Sequence, residues 1–214
     1  MRDVAAAGYL SGRLDLSKTI DFYYDFVSSA SYIAYKRLPG MIEKAGGTIN
    51  WKPMVLGGVF KAVGNSPPTH IPAKGRWLFD DLQRTCSRYG LKFSVNSKFP
   101  LNTIMVLRGA VAAEKLGDEV LKKYMDVMFD GAWANDDDLS DPAVVMELMD
   151  KAGLPAQEIA NMVQDQAIKD ELRANTEEAV ERGAFGAPTI FVNGEMHWGQ
   201  DRIDDVMEAF HRND

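Results

Sequence analysis

Strand-like patterns of hydrophobic and polar residues occur near the two ends of the chain. Residues 19–26 combine aromatic and β-branched side chains, with two aspartates interrupting the apolar run. Apolar residues at helical spacing follow over 32–42, and Gly46-Gly47 indicates the helix end. A second strand is predicted at 48–53. The chain therefore opens β-α-β, which predicts parallel strands joined by a right-handed crossover.

The middle of the chain, residues 55–182, shows helical patterns and no convincing strand. Gly57-Gly58 and the turn-rich residues 64–68 predict a loop at its start. Asp141-Pro142 is typical of a helix start. We predict helices at 72–89, 102–116, 117–130, 141–152, 155–163 and 165–183.

Strand signals return after residue 186. Residues 189–192 and 195–198 flank Asn193-Gly194, a strong signal for a tight hairpin turn. A final helix is predicted at 201–211. This order, β-α-β, helices, then a β-hairpin and a helix, predicts an α/β, thioredoxin-like fold with a large all-helical insertion.

The same order predicts the domain limits. Residues 19–55 and 184–214 are expected to form the thioredoxin-like domain. Residues 56–183 are expected to form the helical insertion, whose last helix, 165–183, leads back into that domain. Residues 1–18 are expected to be a disordered leader outside the fold, because their apolar stretch is too short for a signal peptide.

Composition narrows the classes of function. The chain has 214 residues, of which 46% are hydrophobic and 26% charged, as is usual for a globular protein. Its net charge of −7 disfavours binding to nucleic acid or to an anionic membrane. No apolar run is long enough to span a membrane. A single cysteine, Cys86, excludes an internal disulfide and favours a cytoplasmic location.

Cys86 lies in a helical pattern, so we expect a buried core thiol. The three histidines are scattered and lack metal-ligand spacing, so no metal site is expected. Glycine-rich nucleotide motifs and a serine-hydrolase elbow are also absent from the sequence.

The first strand-to-helix junction reads Ser28-Ser29-Ala30-Ser31. In thioredoxin-like folds a C-x-x-C pair sits at such a junction, where the helix N-terminus favours a thiolate. Serines cannot cycle between thiol and disulfide, so a site here must act on a thiol supplied from outside. The helix N-terminus would offer N–H groups and partial positive charge to that anion. Ser28 is equally explained as an ordinary helix N-cap.

Two further features have both a structural and a functional interpretation. Ala187-Pro188 precedes a strand, where proline is tolerated; its backbone could also pair with a peptide-like ligand, and the sequence leaves the cis or trans state open. Asp201 at a helix start complements the helix dipole or binds an ammonium group.

Four segments together resemble one family, the 2-hydroxychromene-2-carboxylate isomerases, which are relatives of kappa-class glutathione transferases and DsbA-type oxidoreductases. The resemblance covers about residues 19–211. It rests on FYYDFVSSASYIAY, GNSPPTHIPAKGRW, FPLNTIMVLRG and RGAFGAPTIFVNGEMHWGQDRIDDV, of which the GAFGAPT…WGQDR and GN-x-PP…PAK blocks are the most specific.

The resemblance implies a dimeric enzyme that uses glutathione. Ser28 would be the catalytic serine that contacts the glutathione sulfur. Asp201 would take its ammonium group, Gln200 the γ-glutamyl carboxylate, and Lys74 the glycyl carboxylate. The implied glutathione-binding residues are Ser28, Asn65, Lys74, the cis-proline pair Ala187 and Pro188, Gln200 and Asp201.

The resemblance also implies an aromatic-derived carboxylate as substrate, with Lys61 near its carboxylate and Asn102, Thr103 and Trp133 near the same pocket. The family commonly has Ser-Pro-Tyr-Ser where this chain has residues 28–31. Small residues replace the proline and the aromatic ring, so we expect a wider and less apolar pocket.

The expected activity is glutathione-dependent isomerisation of 2-hydroxychromene-2-carboxylate-like compounds from aromatic hydrocarbon catabolism, giving trans-o-hydroxybenzylidenepyruvate. One alternative is a kappa-like glutathione transferase or peroxidase. Another is a non-catalytic thioredoxin-fold binding module.

Overall fold

A computed structural model describes residues 19–212, so the predicted leader, residues 1–18, lies outside the described residues. Four strands form one mixed sheet in the order β2-β1-β3-β4. β1 and β2 pair in parallel, whereas β3 pairs antiparallel with both β1 and β4. The strands are β1 (Thr19–Tyr24), β2 (Thr48–Pro53), β3 (Thr189–Val192) and β4 (Glu195–Trp198).

The predicted fold class is confirmed. All four strands lie where the sequence placed them, although β1 ends at Tyr24 and residues 25–26 turn toward the first helix. The helices are α1 (Ser29–Lys44), α2 (Leu56–Val63), α3 (Pro72–Arg88), α4 (Ile104–Lys115), α5 (Asp118–Asp130), α6 (Pro142–Lys151), α7 (Ala156–Met162), α8 (Gln166–Glu181) and α9 (Ile203–His211).

The predicted loop around Gly57-Gly58 was wrong, because both glycines lie inside α2. Tertiary packing outweighs their low helix propensity. A Cβ on Gly58 would lie 3.4 Å from the Thr176 methyl group, at ordinary van der Waals distance, so α2 packs directly against α8 here. The Thr176 hydroxyl also accepts a hydrogen bond from the N–H of Val55, the residue before α2, at 3.0 Å.

One large apolar cluster joins the sheet to the helical segment. Phe26 packs against Phe129 of α5 with ring centroids 4.7 Å apart, and Tyr35 of α1 stacks on the same ring at 4.8 Å. The cluster continues through α4, α6 and α7. The domain limits given above stay a prediction.

The C-terminal end of α8 is tied to the sheet by Arg182. Its guanidinium lies 2.7 Å from the Asp21 carboxylate and donates to the Tyr23 hydroxyl at 3.0 Å. The guanidinium also stacks over the Phe191 ring at 3.8 Å. These contacts fix the direction in which residues 184–188 leave α8.

Within residues 19–212, no helix is both long enough and apolar enough to cross a membrane.

Candidate functional site

Ser28 lies at the point where β1 gives way to α1, and it is 8% exposed. Its backbone is extended, and its Oγ accepts a hydrogen bond from the N–H of Ser31 at 3.1 Å. The same hydroxyl donates to the carbonyl of Ala187 at 3.0 Å. Ser28 is therefore the N-cap of α1, and its hydroxyl also reaches the loop before β3.

That loop contains a cis peptide bond between Ala187 and Pro188. Both its ends are held by hydrogen bonds. The Thr189 hydroxyl donates to the Gly186 carbonyl at 2.8 Å, and the N–H of Gly199 donates to the Pro188 carbonyl at 3.0 Å. The fold thus brings Ser28, Ala187 and Pro188 together, as the resemblance implied.

Gly186 has no room for a side chain, since a Cβ there would collide with the indole of Trp198. The Trp198 ring also packs on Phe185, with centroids 4.9 Å apart.

Asn65 connects a second loop to this site. Its Nδ2 donates to the Phe185 carbonyl at 2.8 Å, and its Oδ1 accepts from the N–H of Ser66 at 2.8 Å. The preceding Gly64 has φ of +69°, a conformation that ends α2 and that side chains disfavour. Asn65 therefore contacts Phe185, which lies two residues before Ala187 in the loop that precedes β3.

Gln200 and Asp201 form a short 3₁₀ turn that leads into α9. Arg37 of α1 holds this turn: its Nη1 donates to the Gln200 carbonyl at 3.2 Å while its guanidinium stacks on Tyr89 at 3.7 Å. The amide Oε1 of Gln200 is buried and has no hydrogen-bond partner among residues 19–212. Asp201 is exposed, with Arg202 Nη2 at 3.4 Å.

Lys61 and Lys74 both extend into solvent from α2 and α3. Neither makes an ion pair with any other residue that the structure describes. Lys74 borders a largely apolar groove of about 460 Å³, together with Pro68, Trp77 and Leu78. Trp77 is 62% exposed.

The structure does not bring all four predicted substrate residues to a surface. Asn102 is exposed at the start of α4. Thr103 is buried and donates to Asp25 at 2.6 Å. Trp133 is fully buried, and its indole Nε1 donates to the Phe26 carbonyl at 2.8 Å. Both side chains bond to residues of the β1–α1 junction and are closed to solvent, so of the four only Lys61 and Asn102 are exposed and able to contact a substrate directly.

Asp25 is a residue of this site that the sequence analysis missed. It is 2% exposed, and its carboxylate accepts three hydrogen bonds, from Val27 N–H, Leu56 N–H and the Thr103 hydroxyl. Burial raises the pKa of Asp25 above its ordinary value, while these donors favour the ionised form. The only signal in the sequence that could have indicated this role was the presence of an aspartate at the end of an otherwise apolar strand pattern.

Cys86 is buried in α3, as predicted, and burial raises the pKa of its thiol to about 11. A protonated thiol away from solvent is a poor nucleophile. Across the part of the chain that the structure describes, no three His, Cys, Asp or Glu side chains are grouped so that they could hold a metal ion.

A family model for the DSBA-like thioredoxin domain matches residues 19–211. The chain belongs to this family. It is 31% identical to 2-hydroxychromene-2-carboxylate isomerase of Pseudomonas putida over 192 residues, which cover 86% of this chain and 90% of that protein. It is 25% identical to human glutathione S-transferase kappa 1 over 203 residues, covering 88% and 89% of the two chains.

The fold comparison agrees with the sequence comparison. A solved structure of 2-hydroxychromene-2-carboxylate isomerase superposes with a TM-score of 0.79 at 29% identity, covering 91% of this chain and 95% of that one. The resemblance stated from the sequence is thereby confirmed. Relatives named as an isomerase and as glutathione transferases support an enzymatic activity of that general kind for this chain.

Proposed function

We propose that this protein is a glutathione-dependent isomerase of 2-hydroxychromene-2-carboxylate-like compounds, with trans-o-hydroxybenzylidenepyruvate as the product type. One observation carries most of the proposal. The Ser28 hydroxyl lies at the N-terminus of α1 against the Ala187 carbonyl of the cis-proline loop, and residues 28–31 contain no thiol. The position suits an anionic sulfur that belongs to a ligand.

The residues around this position fit the chemistry of glutathione. The tripeptide carries one ammonium group and two carboxylates. The exposed carboxylate of Asp201 suits the ammonium group, and the side-chain amide of the adjacent Gln200 can donate to the γ-glutamyl carboxylate. Lys74 supplies a cation for a carboxylate, and Asn65 holds the loop that leads to Ala187.

When bound, glutathione supplies a thiolate that adds reversibly to the conjugated substrate and is released unchanged. The chain's own residues bind and orient. The Ser28 hydroxyl, which donates a hydrogen bond to the Ala187 carbonyl in the free protein, would donate it to the sulfur instead. The first N–H groups of α1 would favour the negative charge. Lys61 orients the carboxylate of the substrate.

Product analysis tests this proposal. The protein is incubated with reduced glutathione and 2-hydroxychromene-2-carboxylate, and both the product spectrum and the thiol concentration are followed. An isomerase forms the benzylidenepyruvate while the thiol concentration stays constant. Consumption of thiol with a glutathione adduct would instead establish the kappa-like transferase, which the similarity to the human transferase favours as the second candidate.

A folded protein that neither binds glutathione nor forms product would reject both activities and leave a non-catalytic binding module. The identity of the substrate needs the broadest test, because Ser29 and Ala30 replace the bulkier residues common in the family and change the shape expected of the pocket. Related bicyclic acids belong in the same assay.

Two further proposals concern the protein as a whole: a homodimer and a cytoplasmic location. Large apolar side chains on α3 and just before it, Ile71 and Trp77, are exposed and available for a subunit contact. Light scattering of the purified protein tests the dimer, and a monomer mass at micromolar concentration would reject it.

A further inference from the structure

Asp25 joins three separate segments of the chain through one carboxylate. Its Oδ1 accepts from the N–H of Val27 at 3.0 Å and from the hydroxyl of Thr103 at 2.6 Å. Its Oδ2 accepts from the N–H of Leu56, the first residue of α2, at 2.9 Å. The residue is buried, so these contacts are shielded from water.

Each of these segments carries residues of the candidate site. Val27 directly precedes Ser28, whose own N–H donates to the Asp25 carbonyl at 3.0 Å. The second segment, α2, carries Lys61 and leads into the Asn65 loop. The third begins with Asn102 and Thr103 at the start of α4. One buried group therefore sets the relative positions of the nucleophile-binding, glutathione-binding and substrate-side segments.

Burying a carboxylate is costly unless its oxygens are well hydrogen-bonded. Asp25 makes no ion pair with another described residue, so its contacts are those three donors. An apolar side chain would fill the same space without the desolvation cost, although it could not orient two backbone amides and a hydroxyl. The aspartate therefore contributes the orientation of these donors and of the segments that carry them.

We propose that Asp25 is a positioning residue that fixes the Ser28 hydroxyl relative to the first turns of α2 and α4. It acts through its hydrogen bonds and does not touch the ligand. The inference rests on the proposed function for its effect on bound glutathione, whereas its effect on the junction stands without any ligand.

The test uses Thr103→Val, which removes one donor and leaves the charge of Asp25 in place. Thr103→Ser restores the hydroxyl. Tyr124→Phe is the matched control, because it removes another buried hydroxyl that bonds α4, at the Val106 carbonyl, and keeps the ring that packs on Phe26. Asp25→Asn, which replaces an acceptor by a donor, should give a larger effect of the same kind where it folds.

Amide hydrogen exchange is measured by NMR without glutathione. We expect exchange at Val27 and Ser28 to become about tenfold faster in Thr103→Val, as for loss of a hydrogen bond to a charged group. Phe22 in β1 should be unchanged, and Thr103→Ser and Tyr124→Phe should match the parent at Val27 and Ser28. Unchanged exchange at the junction, or an equal acceleration throughout the chain, would overturn the proposal.

A second measurement follows the thiolate absorbance of bound glutathione against pH. Thr103→Val should raise the pKa of the bound thiol, because Ser28 and the α1 amides are less well aimed, and Thr103→Ser should reverse the shift. A loosened junction with an unchanged thiol pKa would also overturn the positioning role. Failure of the parent protein to bind glutathione would reject the proposed function, while hydrogen exchange would still decide the role of Asp25.

Discussion

Two regions of the candidate site are built differently. At the β1–α1 junction, Asp25, Phe26 and Ser28 are buried, and each is held by a hydrogen bond to another segment. Val27 is half-buried and donates to the Asp25 carboxylate. Lys61 of α2 and Lys74 and Trp77 of α3, which we call the α2–α3 face, extend into solvent, and neither lysine has a charged partner among the described residues. The junction is organised without a ligand, whereas the face offers side chains that a ligand must still order.

This difference assigns different tasks to the two regions. Donors that are already aimed in a water-poor position stabilise charge at little cost of reorganisation. Exposed cations pay side-chain entropy on binding and are screened by salt. We therefore expect the junction to control the rate of the reaction and the α2–α3 face to adjust affinity.

The largest effect is expected at Ser28. Ser28→Ala removes the hydroxyl that faces the ligand sulfur, so glutathione-dependent turnover should fall about a hundredfold, as for loss of one donor to a developing anion. Steady-state rates at saturating glutathione measure this loss. An unchanged turnover would place the chemistry elsewhere and remove the distinction between the two regions.

Ser28→Ala also removes a helix cap, which costs about 1 kcal/mol of stability. Asp141→Ala is the matched control, because Asp141 caps α6 through the N–H of Ala143 at 2.8 Å and lies outside the candidate site. Both variants should lose similar stability in urea unfolding, and only Ser28→Ala should lose turnover. A comparable loss of turnover in both would reduce the role of Ser28 to folding.

An intermediate effect is expected at Asp201, which lies in a turn that Arg37 holds but is itself exposed. Asp201→Asn should weaken glutathione binding about tenfold, because a charged acceptor for the ammonium group is lost. Calorimetric titration measures the change. Asp204→Asn, one turn further into α9, is the control, and an equal loss there would indicate a general effect of charge.

The smallest effect is expected at Lys74. Lys74→Met should weaken glutathione binding only about threefold at low salt, since an exposed ion pair contributes less than about 1 kcal/mol. The difference should shrink in high salt because the interaction is screened. A large, salt-independent loss would show that the α2–α3 face closes over the ligand and is as well organised as the junction.

The sequence predicted the parts of this site whose signals are local. The hairpin turn Asn193-Gly194, the cap at Ser28 and the β-α-β start all follow from short-range rules, and the structure has them in place. The helix α2 was missed because its two glycines indicate a loop, whereas the helix packs on Thr176 of α8, which is more than 100 residues away.

Side-chain direction was also beyond the sequence. The resemblance implied that Thr103 and Trp133 face the substrate. In the structure both side chains are buried and donate to residues of the β1–α1 junction, Thr103 to Asp25 and Trp133 to the Phe26 carbonyl. Asp25 interrupts an apolar strand, which shows only that it is unusual. Two of its three donors, Leu56 and Thr103, lie 31 and 78 residues away along the chain, so no local pattern contains them.

A crystal structure with reduced glutathione is the most direct measurement. The account predicts the cysteinyl sulfur within hydrogen-bonding distance of Ser28 Oγ, with the tripeptide backbone along Ala187 and its ammonium group at Asp201. Glutathione bound with its sulfur away from Ser28 would contradict it. So would a Ser28 hydroxyl that still donates to the Ala187 carbonyl at saturating glutathione, with no ligand beside it.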